Sequence, residues 1–334
     1  NICVSDIRKQ AACALIFALS FNGAADAQDF PFQLLSNALI WSSGEFRGEY
    51  VSGVRSMNDG KHYTSLERSE SGSSIVKYAY RSGEAVDTIA TSLQVFQDAS
   101  KGFNGYEFSA DESNLLITTE TEGIYRHSFF ANYYTHNLET GVTRPLSDFE
   151  TGKQRLAAFS PDAKQVAFVR DNNVFIVDLE SSVETQVTTD GERNKIINGA
   201  TDWVYEEEFG KDNGIFWSPD GKFLAFYRFD ESGVKEFSMP MYGQLYPEPY
   251  TFKYPKAGED NAEVNVFVFN TETGRTSSVL NSKTEYIPRV KWGMNSEQLV
   301  LMTMNRHQSE MSILIGDCAA AVAAGVRRKE GWTD

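Results

Sequence analysis

Cysteine is almost missing from this sequence. Of the three present, Cys3 and Cys13 fall in an N-terminal stretch that reads as a leader, and only Cys318 lies beyond it. No disulfide within the mature chain is expected. Basic side chains are also scarce: 31 Lys and Arg against 46 Asp and Glu leave a net charge of -15, and no run of four Lys or Arg occurs. Such a surface repels phosphate backbones and anionic lipid head groups, which argues against nucleic-acid and membrane partners. No apolar run approaches the roughly 20 residues that a bilayer span needs. The four histidines, His62, His127, His136 and His307, show no metal-binding spacing such as H-E-x-x-H. His127 and His136 read as local hydrogen-bonding residues. With no P-loop or dinucleotide fingerprint either, no metal and no cofactor are expected. A G-x-S-x-G pentapeptide is absent too, so no catalytic residue is assigned.

Apolar residues make up 41% of the chain, with 23 Phe and 15 Tyr, enough to bury a sizeable core. At the start, Arg8 and Lys9 precede an apolar run from Ala11 to Phe21, followed by the small-residue triplet Ala25-Asp26-Ala27. This is the pattern of a secretory leader over residues 1–27, with a short connector over residues 28–40 behind it. An exported protein, periplasmic or secreted, is expected. A first residue of Asn in place of Met suggests a fragment.

The rest of the chain repeats. Phe159-Ser160-Pro161-Asp162-Ala163-Lys164 precedes an apolar run that ends at Arg170, and Trp217-Ser218-Pro219-Asp220-Gly221-Lys222 precedes another that ends at Tyr227. Phe108-Ser109-Ala110-Asp111 is a looser copy, and weaker ones open at Asn58-Asp59-Gly60-Lys61 and at Trp292-Gly293-Met294-Asn295. Pro presets φ, Asp bonds neighbouring backbone and Gly accepts positive φ, so each copy reads as a hairpin turn. Ser109, Ser160 and Ser218 are 51 and 58 residues apart, which suits four short strands per unit. The expected fold class is all-β, a β-propeller of about five four-stranded blades over residues 41–315.

Irregularities mark where a scaffold carries binding loops. Insertions are expected near residues 120–126 and 231–261, with a long connection over residues 191–212. The second insertion holds Pro240, Pro247, Pro249 and Pro255, a density that disfavours a central strand and favours an extended arm. The connection holds Glu206, Glu207 and Glu208 in a row. Three successive carboxylates cannot share one face of a strand, but a short helical turn capped by Thr201 or Asp202 can aim two of them into one cavity. From pattern alone the triplet reads as a solvated acidic helix start.

Asn198-Gly-Ala-Thr-Asp-Trp-Val-Tyr-Glu-Glu-Glu-Phe209, followed by Trp217-Ser-Pro-Asp-Gly221, resembles the signature of the dipeptidyl peptidase IV family. Tyr125-Arg-His-Ser128, Tyr254-Pro-Lys-Ala-Gly258 and Asn305-Arg-His-Gln308 are similar to segments of the same family, the last to its bacterial members. The resemblance implies that Glu207 and Glu208 bind the free α-amine of a peptide, that Arg126 holds a substrate carbonyl, and that Glu206 is a structural neighbour. It implies a complete protein that removes Xaa-Pro or Xaa-Ala dipeptides from peptides with a free N-terminus and penultimate proline. It also implies a homodimer built partly through the proline-rich arm, an eight-bladed propeller of which this chain holds about five blades, and an α/β-hydrolase domain following residue 334. Residues 316–334 lose strand alternation and read as an aberrant or truncated tail. The competing expectation is a stand-alone periplasmic propeller that binds peptides or serves as a scaffold without enzymatic activity.

Overall fold

The computed structural model describes residues 35–48, 53–70, 72–280 and 283–317, and the backbone of residues 326–331. The expected leader, residues 1–27, lies outside the described residues. The chain divides into two units, residues 1–52 and 53–334. In the first, helix α1 (Asn37–Trp41) starts at Ser36, whose hydroxyl accepts the Leu39 N–H at 3.1 Å.

Among its described residues the second unit holds six antiparallel sheets: five that follow one another along the chain, each with a four-strand blade path, and one two-stranded hairpin. Blade 1 is β1 (Arg55–Ser56), β2 (His62–Ser69), β3 (Gly72–Ala79) and β4 (Ala85–Thr91); helix α2 (Ser92–Phe96) follows it. Blade 2 is β5 (Gly105–Phe108), β6 (Asn114–Gly123), β7 (Phe129–Asn137) and β8 (Thr143–Pro145). Blade 3 is β9 (Arg155–Phe159), β10 (Gln165–Arg170), β11 (Asn173–Asp178) and β12 (Glu184–Gln186). Strand β13 (Ile196–Asn198) and helix α3 (Trp203–Glu207) come before blade 4, which is β14 (Ile215–Trp217), β15 (Phe223–Asp230), β18 (Glu263–Asn270) and β19 (Arg275–Ser278). Blade 5 is β20 (Tyr286–Trp292), β21 (Gln298–Met304), β22 (Glu310–Asp317) and β23 (Val326–Gly331). The fold is thus an incomplete propeller, with no α/β-hydrolase domain among the described residues.

The repeated turns owe their shape to one hydrogen-bond set. Ser109, Ser160 and Ser218 each donate from Oγ to the Asp two positions on, at 2.6, 2.6 and 2.7 Å. Each hydroxyl also accepts the N–H of the residue that opens the next strand, Asn114, Gln165 or Phe223. The third residue after each Ser turns left-handed, with φ of 59°, 59° and 72° at Glu112, Ala163 and Gly221. Only one of the three is Gly, so the Ser–Asp pair compensates the unfavourable backbone at the other two.

Blades are joined by side chains that cross between strands. The Trp217 indole donates to the Ala158 carbonyl of blade 3 at 3.1 Å, and the Trp292 indole donates to Phe216 of blade 4 at 2.9 Å. Between blades 2 and 3, Ala131 and Gln154 exchange backbone hydrogen bonds of 2.8 and 2.9 Å. The largest core cluster runs from Val169 and Val174 of blade 3 through Val204 and Tyr205 of α3 to Phe226, Ile287 and Leu299 of blades 4 and 5. Burial of this kind, at roughly 25 cal/mol per Å2 of apolar surface, is what makes each blade depend on its neighbour.

Two features depart from a plain blade. Strand β13 adds to blade 4 beside β14 by pairing with the far end of β15, and the chain turns into α3 at Gly199, with φ of 75°. A Cβ there would stand 2.6 Å from a Val174 methyl, so only Gly fits. The proline-rich insertion is a two-stranded hairpin, β16 (Glu236–Met241) with β17 (Glu248–Lys253), set apart from the blade sheets. Beyond Asp317 the backbone of β23 completes blade 5 against β22, since edge pairing uses main-chain groups and does not need alternating side chains. Among the described residues no helix is long and apolar enough to cross a membrane.

Candidate functional site

Helix α3 is short because its ends are fixed. Asp202, in extended backbone, accepts the Tyr205 N–H at 3.0 Å and caps the start. At the other end the Lys211 N–H reaches the Tyr205 carbonyl, while Thr201 donates to the Lys211 carbonyl at 2.7 Å, closing the loop behind the helix. Tyr205 points into the core, where its hydroxyl accepts the Ile287 N–H of blade 5 at 2.7 Å.

The three glutamates then diverge. Glu206 is 1% exposed and turns inward, its Oε1 accepting the N–H groups of His127 and Ser128 at 2.7 and 2.9 Å. Glu207 is half-buried and takes the Arg126 Nε at 2.9 Å. Glu208 is the exposed C-cap of the helix. The structure therefore brings Glu207 of α3 and Arg126 of the β6–β7 tip together, with Glu208 next along the chain. Arg126 is 70% exposed, and its Nη1 and Nη2 groups have no hydrogen-bond partner among the described residues.

Arg126 and Glu207 stand on the wall of a cleft of about 750 Å3 between the β6–β7 tip, α3 and the arm. Its other walls are aromatic, with Trp203 against Tyr254 at 4.3 Å between ring centres, Tyr254 against Phe237 at 5.6 Å and Tyr125 against Phe252 at 6.0 Å. A carboxylate at the edge of an apolar wall suits a ligand with a cationic end and a hydrophobic body. Among the described residues no group of three or more His, Cys, Asp or Glu could hold a metal ion. His136 bonds Thr143 Oγ1 at 2.8 Å, a local role.

Buried charge surrounds this site. Burial pushes the Asp202 carboxyl up to about 6, against the Tyr205 N–H it accepts. Burial, with the Asp202 charge adding to it and Lys253 opposing, lifts Glu231 to about 7. Burial lowers Arg155, with the Glu206 charge opposing the shift. Carboxyls whose folded values lie above their unfolded ones bind protons more tightly when native. Their contribution to stability is therefore present at low pH and lost as pH rises through the folded values. The double variant Asp202→Asn, Glu231→Gln keeps the cap acceptor and removes both titrations. Its gain in stability over the wild type should grow from pH 5 to pH 8, reaching on the order of 2 kcal/mol. Parallel melting curves across that range would exclude the assignment.

The sequence reading named Arg126, Glu207 and Glu208 as candidates and Glu206 as a structural neighbour, without the inward contacts of Glu206 or the aromatic wall of the arm. The inward role of Glu206 depends on backbone N–H groups 79 and 78 positions away, which no local pattern reports. The arm's aromatic wall had a signal, Tyr250, Phe252 and Tyr254 alternating along β17 and the residue that follows it, with Phe237 on β16.

The profile of the family described as the Dipeptidyl peptidase IV (DPP IV) N-terminal region matches residues 109–333, more than half of the chain. A probable dipeptidyl peptidase 4 of Aspergillus clavatus is 34% identical over 237 residues, covering 66% of this chain and 30% of its own length. A probable dipeptidyl-aminopeptidase B of Uncinocarpus reesii is 35% identical over 250 residues, covering 68% of this chain and 27% of its own. The crystal structure of Porphyromonas gingivalis dipeptidyl peptidase 4 is similar at 43% identity with a TM-score of 0.79, over 87% of this chain and 41% of that one. This chain thus spans less than a third of either curated relative. Together with five blades and the glutamate helix, the match shows that the chain belongs to the dipeptidyl peptidase IV N-terminal region family.

Proposed function

We propose that this region anchors the amino terminus of a peptide, with Glu207 and Glu208 taking the α-ammonium and Arg126 a backbone carbonyl. The observation that carries the reading is the Arg126–Glu207 pair at 2.9 Å on the wall of an aromatic cleft. A compact ammonium has three donors and gives up part of its hydration on binding, so adjacent anionic acceptors are what hold it. Arg126 is anchored through Nε and keeps its Nη groups for a carbonyl oxygen. In the longer protein this anchoring serves an exported serine peptidase that removes Xaa-Pro or Xaa-Ala dipeptides. The 334 residues contribute binding groups and no G-x-S-x-G nucleophile. The test is a titration of the chain with one Xaa-Pro peptide in free and N-acetylated form. Binding of the free form alone is expected; equal binding of both removes the amine-anchor role.

The arm is assigned to a homodimer contact. Met241, Tyr242, Leu245 and Tyr246 at its tip are exposed apolar side chains, 53 to 90% accessible, which suits a surface that a second copy covers. Deleting residues 240–250 from the full-length protein should weaken the dimer, measured by sedimentation. An unchanged dimer constant removes the assignment.

A further inference from the structure

We infer that Glu206 is a positioning residue: its buried carboxylate ties the β6–β7 tip to α3 and so sets the geometry of the Arg126–Glu207 pair. For its binding readout this rests on the reading of Glu207 and Arg126 given above.

Two consecutive backbone donors, His127 and Ser128, converge on Glu206 Oε1. Successive N–H groups aimed at one anionic oxygen form a concave anion seat, and charge-assisted bonds of this type are the strong ones. The two donors directly follow Arg126, so fixing them fixes where the Arg126 side chain begins. Lys153 holds the base of the tip through the Glu120 carbonyl and Glu122, and Tyr125 packs on Phe252, but among the described residues the His127 and Ser128 N–H groups bond only to Glu206. Within the tip the Ile124 N–H meets the Ser128 carbonyl at 2.8 Å, and the β6–β7 register breaks between Thr119 and Glu122. Glu206 and Glu207 are neighbours on one helical turn and project about 100° apart. One reaches beneath the tip while the other meets Arg126 above it.

Arg155 of β9 is 6% exposed, and its Nε and Nη2, like Glu206 Oε2, find no hydrogen-bond partner among the described residues, so the two backbone donors are what hold the Glu206 carboxylate. The burial of Glu206 also keeps it from the peptide amine, which separates its role from that of Glu207. Two elements meet through this one side chain: the blade 2 tip and α3.

A double-mutant cycle in the 334-residue chain tests this, read by affinity for a free-amine Xaa-Pro peptide and by amide hydrogen exchange. Glu206→Ala should weaken binding by about 10- to 100-fold and speed exchange at His127 and Ser128. In an Arg126→Ala background the same change should cost less than about threefold more, because the tip then holds nothing to position. Fully additive losses would overturn the proposal, since a general folding defect ignores Arg126. Glu206→Gln keeps one carbonyl acceptor and the side-chain volume, so it should fold where Glu206→Ala does not. It should still speed exchange at His127 and Ser128 while leaving Tyr133 unchanged, and unchanged exchange at all three would equally overturn the proposal. Should the wild type bind free and acetylated peptides alike, the amine reading fails, and the exchange result alone decides the role of Glu206.

Discussion

In the full-length protein, Glu207→Gln should lower kcat/KM for peptides with a free α-amine by about 30-fold to several thousandfold, the loss that follows when one member of a desolvated charge pair is removed. Two interactions would lose their charge at once, the proposed one with the ammonium and the one that holds Arg126 at 2.9 Å. Glu208→Gln should act in the same direction and less, because its carboxylate is exposed and screened. Glu206→Gln should cost least, since an amide oxygen can still accept from His127 and Ser128. The ranking separates binding from folding: Glu206 is the most buried of the three, so a folding defect would put it first. N-acetylated peptides should be poor substrates of the wild type and lose little more in the variants. If they are cleaved as well as free peptides, Glu207 and Glu208 do not bind the amine.

Tyr205→Ala should remove about 3–5 kcal/mol of stability, the range for deleting a large aromatic from a packed interior. Its ring is 3% exposed and meets Phe209, Tyr227 and Phe229 at centre distances of 5.0, 5.9 and 4.7 Å. Tyr205→Phe keeps the ring and removes the acceptor for the Ile287 N–H, a cost of about 1–3 kcal/mol for a buried donor left unpaired. Urea unfolding monitored by circular dichroism measures both. A Tyr205→Ala loss below that of Tyr205→Phe would mean that α3 does not depend on this anchor. The two residues that follow carry Arg126 and its loop, so the effect should extend to peptide binding.

What the sequence disclosed and what it concealed divide by range. The Ser–Asp turns at 109, 160 and 218 were legible because their hydrogen bonds close within five residues. The N-cap of α3 was legible in the same way, narrowed from Thr201 or Asp202 to Asp202. The arm's prolines pointed away from a central strand, and the hairpin resolves them by setting Pro240 opposite Pro249, so both missing N–H groups fall at one place in the ladder. Contacts between blades left no local trace. Nothing near Glu206 announces His127 and Ser128, and nothing near Ile196 announces that β13 will extend blade 4. Likewise β23 pairs through its backbone, which hydrophobic alternation cannot report.

The indole bridges impose an order of completion. An acceptor on the first strand of blade 3, at Ala158, waits for Trp217, and one on the first strand of blade 4, at Phe216, waits for Trp292. During synthesis on the ribosome each blade therefore emerges before the side chain that finishes it, and maturation trails the growing chain by one repeat. A nascent chain halted just before Trp292 would hold blade 4 with its Phe216 carbonyl still waiting, the interval in which a chaperone has most to protect.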